Sequence, residues 1–272
     1  MKCLFPLPGP LLFNIFLNNL NVPGQISSLH LYADDTTTYA SDRDTITLEI
    51  SLNQDPNILV NWFSQNYLIV NSIKTWGTLL GSHTHVLKFF IGDTKVELAN
   101  SLKILGVTID NKLTYCEHIS NMLKKVYAKI AVLRRLKRLT PHNVSLSLYK
   151  AYLLPHLEHC SPLLIAANKT LNSKLESANK YALKTLLNLG NNLKCDSILY
   201  LIDMQSLEHR RYYSSLLLLY KFMNSNGPQY IKNFFQTRYT KYKLSSRGIN
   251  LEQSRDNNKF FHSSFPYIVG PL

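Results

Sequence analysis

Two adjacent aspartates, Asp34 and Asp35, stand between two stretches that both have the pattern of β-strands. Residues 28–33 alternate between apolar side chains and polar or aromatic ones, which is typical of a half-buried strand. Residues 36–39 are β-branched or aromatic, which favours a second strand. The sequence therefore predicts a β-hairpin with both carboxylates at its tip.

The chemistry of this pair can be interpreted in two ways. Hard divalent cations take carboxylate oxygens as ligands, and a rigid carboxylate pair can take part in the two-metal chemistry of nucleotidyl transfer. Asp-Asp is also a common turn dipeptide, because aspartate side chains bond to their own backbone in solvated turns. The dipeptide alone leaves both interpretations open, so the flanking sequence has to separate them.

Four blocks in a fixed order resemble the reverse transcriptases of non-LTR (LINE-type, jockey-like) retrotransposons. The Tyr-Ala-Asp-Asp of residues 32–35 looks like the polymerase signature of that family, and the likeness extends from about residue 9 to about residue 230. The matching blocks are residues 9–20, 32–35, 62–75 and 105–119. The resemblance implies an α+β fold, with an incomplete palm (an antiparallel sheet with helices) followed by an all-helical thumb.

The same resemblance implies four segments. They are a partial palm with the hairpin at 1–78, a β connector at 79–112, a helical thumb at 113–225, and a basic, aromatic tail at 226–272. The family's fingers and an earlier palm strand, which supplies another metal-binding aspartate, have no counterpart in these residues. Asn18-Asn19 stands where the family often has an acidic residue. We therefore expect a fragment that does not polymerise alone.

Residue roles follow from the resemblance by position. Asp34 and Asp35 would bind Mg²⁺, Tyr32 and Ala33 would line the site near the primer end, and the partners would be an RNA template, a DNA primer and deoxynucleoside triphosphates. Lys74 would lie near the triphosphate as a proton donor, or it is a solvated loop lysine. Gly9 would allow close approach of the nucleotide, or it belongs to a Pro-Gly-Pro turn.

Charge is distributed unevenly along the chain. Residues 1–100 carry a net charge of −3, whereas residues 101–272 carry +16. Seven cations fall within 15 residues without an acid, interleaved with apolar residues at helical spacing (Val126, Ile130, Leu133 and Leu136). This basic stretch predicts contact with a nucleic-acid backbone, although a solvated helix face would look the same. Its cations are Lys124, Lys125, Lys129, Arg134, Arg135, Lys137 and Arg138.

Other classes of protein are disfavoured. The four cysteines are too scattered for a disulfide scaffold, and His156, His159 and Cys160 lack a fourth ligand for zinc at a suitable spacing. Residues 3–33 carry no charged side chain, yet prolines and asparagines interrupt them, so we expect no signal peptide and no transmembrane segment. We therefore expect an intracellular protein with reduced thiols. The sequence does not indicate which cellular compartment contains it.

Periodicity predicts most of the elements. A buried helix is expected at 9–20 with its apolar face at Leu11, Leu12, Ile15, Phe16 and Leu20. Residues 42–66 are ambiguous: residues 46–52 alternate like a strand, the resemblance implies a helix, and Pro56 is expected to start a new helix. Strands are expected at 68–70, 75–80, 86–91, 95–98 and 104–109, with a turn at Gly92-Asp93.

Helices are expected beyond residue 110. One covers 119–133. A second has Thr140 as its N-cap and Pro141 at its first position, and continues through Leu146, Tyr149 and Leu153. A third covers 171–186 and is closed by Gly190, and a fourth covers about 206–223.

The resemblance thus implies a fragment of an RNA-directed DNA polymerase, and the intact family performs two-metal nucleotidyl transfer. A non-catalytic, nucleic-acid-binding helical module is the alternative. A third interpretation is a decaying element copy that never folds stably, because a truncated palm would expose apolar faces.

Overall fold

The computed structural model describes residues 9–20, 26–81, 87–136, 139–189, 195–224 and 232. Contacts divide the chain into two compact units, Met1–Leu102 and Lys103–Leu272. Helices and β-sheets are both present, so the predicted α+β class is confirmed. Over the described ranges, no helix combines the length and the apolar character needed to cross a membrane. The predicted borders at 78 and 112 stay predictions, and nearly all of the 226–272 tail lies outside the described residues.

The first unit contains the predicted hairpin. Helix α1 (Gly9–Leu17) precedes strands β1 (Ser28–Tyr32) and β2 (Asp35–Tyr39), which pair antiparallel. The register joins Ser28 to Tyr39 and Tyr32 to Asp35, so only Ala33 and Asp34 form the turn. The hairpin predicted around the two aspartates is confirmed.

The buried face of α1 differs from the prediction. Leu11, Leu12 and Ile15 are each more than half exposed. The helix ends at Leu17 and packs instead through Phe13 and Leu17, which share a face because they are four residues apart; Leu20, which was predicted to pack, follows the helix and joins the same cluster. This face joins a cluster formed by Leu59 and Phe63 of the next helix, with Leu29 of β1 against it. The hairpin is thereby packed, through its first strand, on a cluster that α1 and α2 share.

Residues 45–65 form one helix, α2 (Thr45–Gln65), rather than a strand or two segments. Asp44 starts it, because its carboxylate accepts hydrogen bonds from the amides of Ile46 and Thr47. Pro56 lies inside this helix, so the prediction that it begins a new one was wrong. A proline inside a helix lowers the stability of that helix by about 3 kcal/mol. One face of α2 is buried both before and after Pro56, and this burial offsets the cost. The buried residues are Leu48, Ser51, Asp55, Leu59 and Phe63.

A small mixed sheet completes the first unit. Strands β3 (Trp76–Gly77), β4 (Phe89–Ile91) and β5 (Thr94–Leu98) are ordered β3-β5-β4. β3 runs parallel to β5 and β4 antiparallel to it, so the sheet is not purely antiparallel. The predicted turn at Gly92-Asp93 is confirmed, with Gly92 at a φ of 57°.

Two asparagines one turn apart on α2 cover the outer edge of β4. The side chain of Asn53 donates to the carbonyl of Lys88 and accepts from the amide of Phe90. Asn57 accepts from the amide of Gly92. These bonds satisfy backbone groups on an edge strand that would otherwise need water or another strand.

Two strand predictions were wrong. Residues 68–70 form no strand: Leu68 and Val70 pack on the cluster of Leu17, Leu59 and Phe63, and a short 3₁₀ helix follows at Ser72–Lys74. The expected strand at 104–109 is two strands, β6 (Ser101–Ile104) and β7 (Val107–Asp110), which pair with each other. Leu105 and Gly106 form the turn with φ of 47° and 87°, the double positive φ of a type I′ hairpin.

The second unit is mostly helical. A long helix, α3 (Cys116–Leu136), packs against another, α6 (Lys169–Leu186), through one apolar core. The predictions for 119–133, 171–186 and 206–223 are confirmed, and Gly190 lies outside the described residues. The remaining elements are α4 (His142–Leu148), a π-helical turn (Tyr149–Leu153), α5 (Leu154–Glu158), a 3₁₀ helix (Ser161–Ala166), α7 (Cys195–Leu201) and α8 (Leu207–Asn224).

The start of α4 lies one residue later than predicted. Pro141 occupies the N-cap position with an extended backbone, and no side chain caps the helix. The hydroxyl of Thr140 instead lies 2.9 Å from that of Ser145 and contacts the carbonyl of Leu136. Thr140 therefore links the end of α3 to α4 rather than capping α4.

Candidate functional site

The turn that carries the two aspartates is tight and exposed. Ala33 has a φ of 51°, in the left-handed region that non-glycine residues adopt only in special turns. Asp34 follows it in the turn, and Asp35 is the first residue of β2, opposite Tyr32. All four residues are exposed. The arrangement puts two neighbouring carboxylates at one end of the hairpin.

Neither carboxylate has a hydrogen-bond or ion-pair partner among the described residues. Other aspartates of the chain are used structurally: Asp44 caps α2, and Asp110 accepts from the amides of Thr114 and Tyr115. Those bonds to Asp44 and Asp110 lower the pKa of each, although partial burial acts in the opposite direction at Asp110. Asp34 and Asp35 thus keep their oxygens available to a ligand in solution.

Two exposed carboxylates fit part of the donor set of a hard cation such as Mg²⁺. Such cations need oxygen ligands, and Mg²⁺ usually takes one or two protein carboxylates together with water and phosphate oxygens. Within the described ranges, no group of three or more histidines, cysteines, aspartates or glutamates could hold a metal ion. The donor set at the hairpin tip is therefore a pair.

A third aspartate, which the sequence analysis missed, fixes the start of the hairpin. Asp55 is fully buried in α2, and its Oδ2 accepts hydrogen bonds from the amides of Ile26 (3.0 Å) and Ser27 (2.5 Å). These are the residues immediately before β1. Asp55 is therefore a positioning residue for the strand that leads to Asp34 and Asp35. Its partners are nearly thirty positions away, so no local pattern predicts these bonds. The one indication of a structural role was an acidic residue on the apolar face of a helix.

The other residues assigned by resemblance are exposed. Lys74 ends the 3₁₀ helix, where its amide donates to the side chain of Asn71, and Gly9 begins α1 with open space around its Cα. No hydrogen bond or ion pair joins Lys74 to Asp34 or Asp35 in the described part of the chain. The roles of Lys74, Gly9, Tyr32 and Ala33 stay predictions.

The basic stretch of the second unit lies on α3. Lys124, Lys125, Arg134 and Arg135 are exposed and Lys129 is partly exposed. The opposite side of α3 is buried through Val126, Ile130 and Leu133, as predicted, but Leu136 is 40% exposed and does not belong to it. Lys137 and Arg138 lie outside the described residues.

Lys129 lies in a group of side chains contributed by several elements. Its ammonium contacts Nε2 of His156 on α5 and lies 3.7 Å from the ring centroid of Tyr152. Burial and the nearby ammonium groups of Lys129 and Lys125, together with His159, lower the pKa of His156. From the sequence, His156 was weighed as a zinc ligand against a packing or surface role; its contact with Lys129, 27 residues away, was not predicted.

A second histidine holds the β6–β7 hairpin on α3. His118 is buried, and its Nδ1 accepts a hydrogen bond from the amide of Thr108 (3.2 Å). Burial lowers the pKa of His118, and the charges of His159 and Lys125 lower it further. The neutral imidazole is the form that can accept this bond.

The second unit is expected to lose stability as the pH falls below about 6.5, the ordinary pKa of histidine. His118 and His156 have lowered pKa values in the folded chain. As the pH falls, the unfolded chain therefore binds protons at these histidines before the folded chain does, which favours unfolding. Their contribution is complete above pH 6.5 and is lost on acidification through the folded-state values. Urea unfolding followed by circular dichroism at several pH values measures this. His118→Gln, which keeps an acceptor for Thr108, should flatten the dependence; an equal slope in that variant would contradict the assignment.

Comparison with known proteins gives one distant relative. The chain is 24% identical over 165 residues to the RNA-directed DNA polymerase from mobile element jockey of Drosophila melanogaster. The match covers 55% of this chain and 18% of the relative, so the chain spans less than a fifth of that polymerase. No family model matches the chain, and no solved structure matches it. The chain is thus distantly similar to a reverse transcriptase.

Proposed function

We propose that this chain is part of an RNA-directed DNA polymerase of a non-LTR, jockey-like retrotransposon. One observation carries the proposal: two adjacent carboxylates, both exposed and without partners among the described residues, lie at the tip of a β-hairpin. Its turn has two residues, and its first strand packs on a cluster shared by α1 and α2. The distant similarity to the jockey polymerase supports it from an independent direction.

In the proposed polymerase, Asp34 and Asp35 hold Mg²⁺. When bound, the metal favours the nucleophilic form of the primer hydroxyl and offsets negative charge on the phosphates. Tyr32 and Ala33 line the primer end, Gly9 lies near the nucleotide, and Lys74 donates a proton to the leaving group. The substrates are deoxynucleoside triphosphates on an RNA template with a DNA primer. We expect no synthesis by this chain alone, because the resemblance implies a further metal-binding aspartate and the described residues bring only Asp34 and Asp35 together at the hairpin tip.

The second unit supports a further role, as a helical module that binds nucleic acid. The exposed cations of α3 favour it. Lys124 and Arg135 are eleven residues apart, about three helical turns, so they lie along one line opposite the buried side. Two cations about 16 Å apart on one face can contact separate phosphates of the same nucleic acid and release counterions on binding.

Charge reversal on α3 tests this interface. Arg134→Glu with Arg135→Glu should weaken binding of an RNA–DNA hybrid by about tenfold or more at low salt, and should reduce the salt dependence of the affinity. Fluorescence anisotropy over a range of salt concentrations measures both quantities.

Two controls separate the interface from other effects. Lys88→Glu with Lys95→Glu changes the net charge equally at exposed positions of the first unit, and it should weaken binding much less. Asp34→Asn should leave binding unchanged, because the phosphate contacts are assigned to α3. Equal weakening by both charge reversals, or an affinity that does not change with salt, would contradict the proposed interface.

A further inference from the structure

A cluster of four basic side chains lies between α3 and α5 of the second unit. Lys125 and Lys129 are one turn apart on α3; His156 belongs to α5, and His159 follows its end. We refer to these four residues as the lysine–histidine cluster. Lys125 and His159 are exposed, and Lys129 and His156 are partly exposed, so the cluster is open to a ligand from solution.

The geometry holds Lys129 in one orientation. Its ammonium group contacts Nε2 of His156 and lies over the ring of Tyr152, 3.7 Å from the centroid. An ammonium can only donate, so Nε2 accepts and the imidazole of His156 is neutral with its proton on Nδ1. An ammonium has three N–H donors, and these two contacts leave donor capacity for a third partner.

No acidic side chain neutralises this cluster in the described part of the chain. The described residues place no carboxylate within 4 Å of Lys125 or Lys129, and the acid on α5, Glu158, binds Arg210 of α8 through both of its oxygens. The charged groups acting on His156 are therefore the two lysines of α3 and His159, and the ring of Tyr152 lies against Lys129. An array of cations without an acid attracts an anion.

We propose that the lysine–histidine cluster binds a phosphodiester group of a nucleic-acid backbone and takes up a proton as it does so. The proposal rests on the nucleic-acid-binding role of α3 and adds α5 to that interface. Protonated His156 can no longer accept from Lys129, and the two become neighbouring cations. A phosphate oxygen between them accepts from both, so binding favours the protonated imidazole. In the free protein, burial and the neighbouring charges lower the pKa of His156. In the complex, the phosphate raises it.

The test compares the affinity of the full chain for a fluorescein-labelled RNA–DNA hybrid at about pH 6 and about pH 7.5, at constant ionic strength. Wild-type protein should bind about fivefold more tightly at the lower pH, as expected when one histidine becomes protonated on binding. The variant His156→Gln with His159→Gln should lose this difference. Glutamine keeps an acceptor for Lys129, and thermal unfolding followed by circular dichroism checks that the variant is folded.

His142→Gln is the matched control, since His142 is exposed on α4, and it should keep the wild-type pH dependence. A double variant whose affinity ratio equals that of wild type would overturn the cluster as the binding site. Equal affinity of wild type at both pH values would overturn proton uptake while leaving the α3 interface intact. An absence of binding at either pH would overturn both proposals.

Discussion

Replacing Asp55 by alanine is expected to lower the free energy of unfolding of the first unit by about 2–4 kcal/mol. The buried carboxylate accepts from the amides of Ile26 and Ser27, and the substitution leaves both amides without this acceptor. Each such bond contributes about 1 kcal/mol, and a buried amide without a partner is costly. The loss falls on the segment that enters β1, so the hairpin tip should become less ordered.

Tryptophan fluorescence during urea unfolding measures this effect, because both tryptophans, Trp62 and Trp76, belong to the first unit. Asp55→Asn keeps one acceptor oxygen and should cost less than the alanine variant. Asp93→Ala removes an exposed aspartate from the turn between β4 and β5 and should change stability by less than about 0.5 kcal/mol. Equal stability of wild type and Asp55→Ala would show that Asp55 does not anchor the hairpin.

In the second unit, Leu164→Ala is expected to cost about 2–5 kcal/mol. Leu164 lies in the 3₁₀ helix Ser161–Ala166, is completely buried, and belongs to the cluster that joins α3, α5 and α6. Removing its side chain loses apolar burial and leaves a cavity that the neighbours fill only in part. Urea unfolding followed by circular dichroism at the helical band measures the change.

The neighbouring residue provides the control for that substitution. Leu163 is 42% exposed and does not belong to the core cluster, so Leu163→Ala should cost less than about 1 kcal/mol. Similar losses for the two variants would mean that the core does not pass through the 3₁₀ helix as described.

The sequence predicted those elements whose signals are local. The hairpin followed from two β-type stretches around a short polar turn, and α3, α6 and α8 followed from apolar residues at helical spacing. The same reasoning divided α2 at Pro56, because a proline disfavours helix locally, whereas the buried stripe from Leu48 to Phe63 continues past it. Packing along the whole helix decided the outcome.

The missed features depend on contacts distant in sequence or on unusual backbone angles. Leu105 adopts a positive φ that a leucine rarely takes, so the apolar run 104–109 concealed a turn that only Gly106 indicated. Asp55 and the contact of Lys129 with His156 connect residues 27 to 29 positions apart. No local pattern predicts such pairs. The exposed face of α1 could not be predicted either, because apolar spacing alone does not say which side of a helix is covered.

Divalent-cation binding at the hairpin tip is the most direct test of the account. Mn²⁺, a paramagnetic substitute for Mg²⁺, should broaden the amide signals of residues 32–36 of isotope-labelled protein before others. Asp34→Asn with Asp35→Asn should weaken this binding by at least about tenfold, because both carboxylate ligands become neutral amides. Asp93→Asn, at the tip of another hairpin, should leave it unchanged. Broadening that is equal at both hairpins, or unaffected by the double substitution, would show that Asp34 and Asp35 form a solvated turn and would contradict the polymerase assignment.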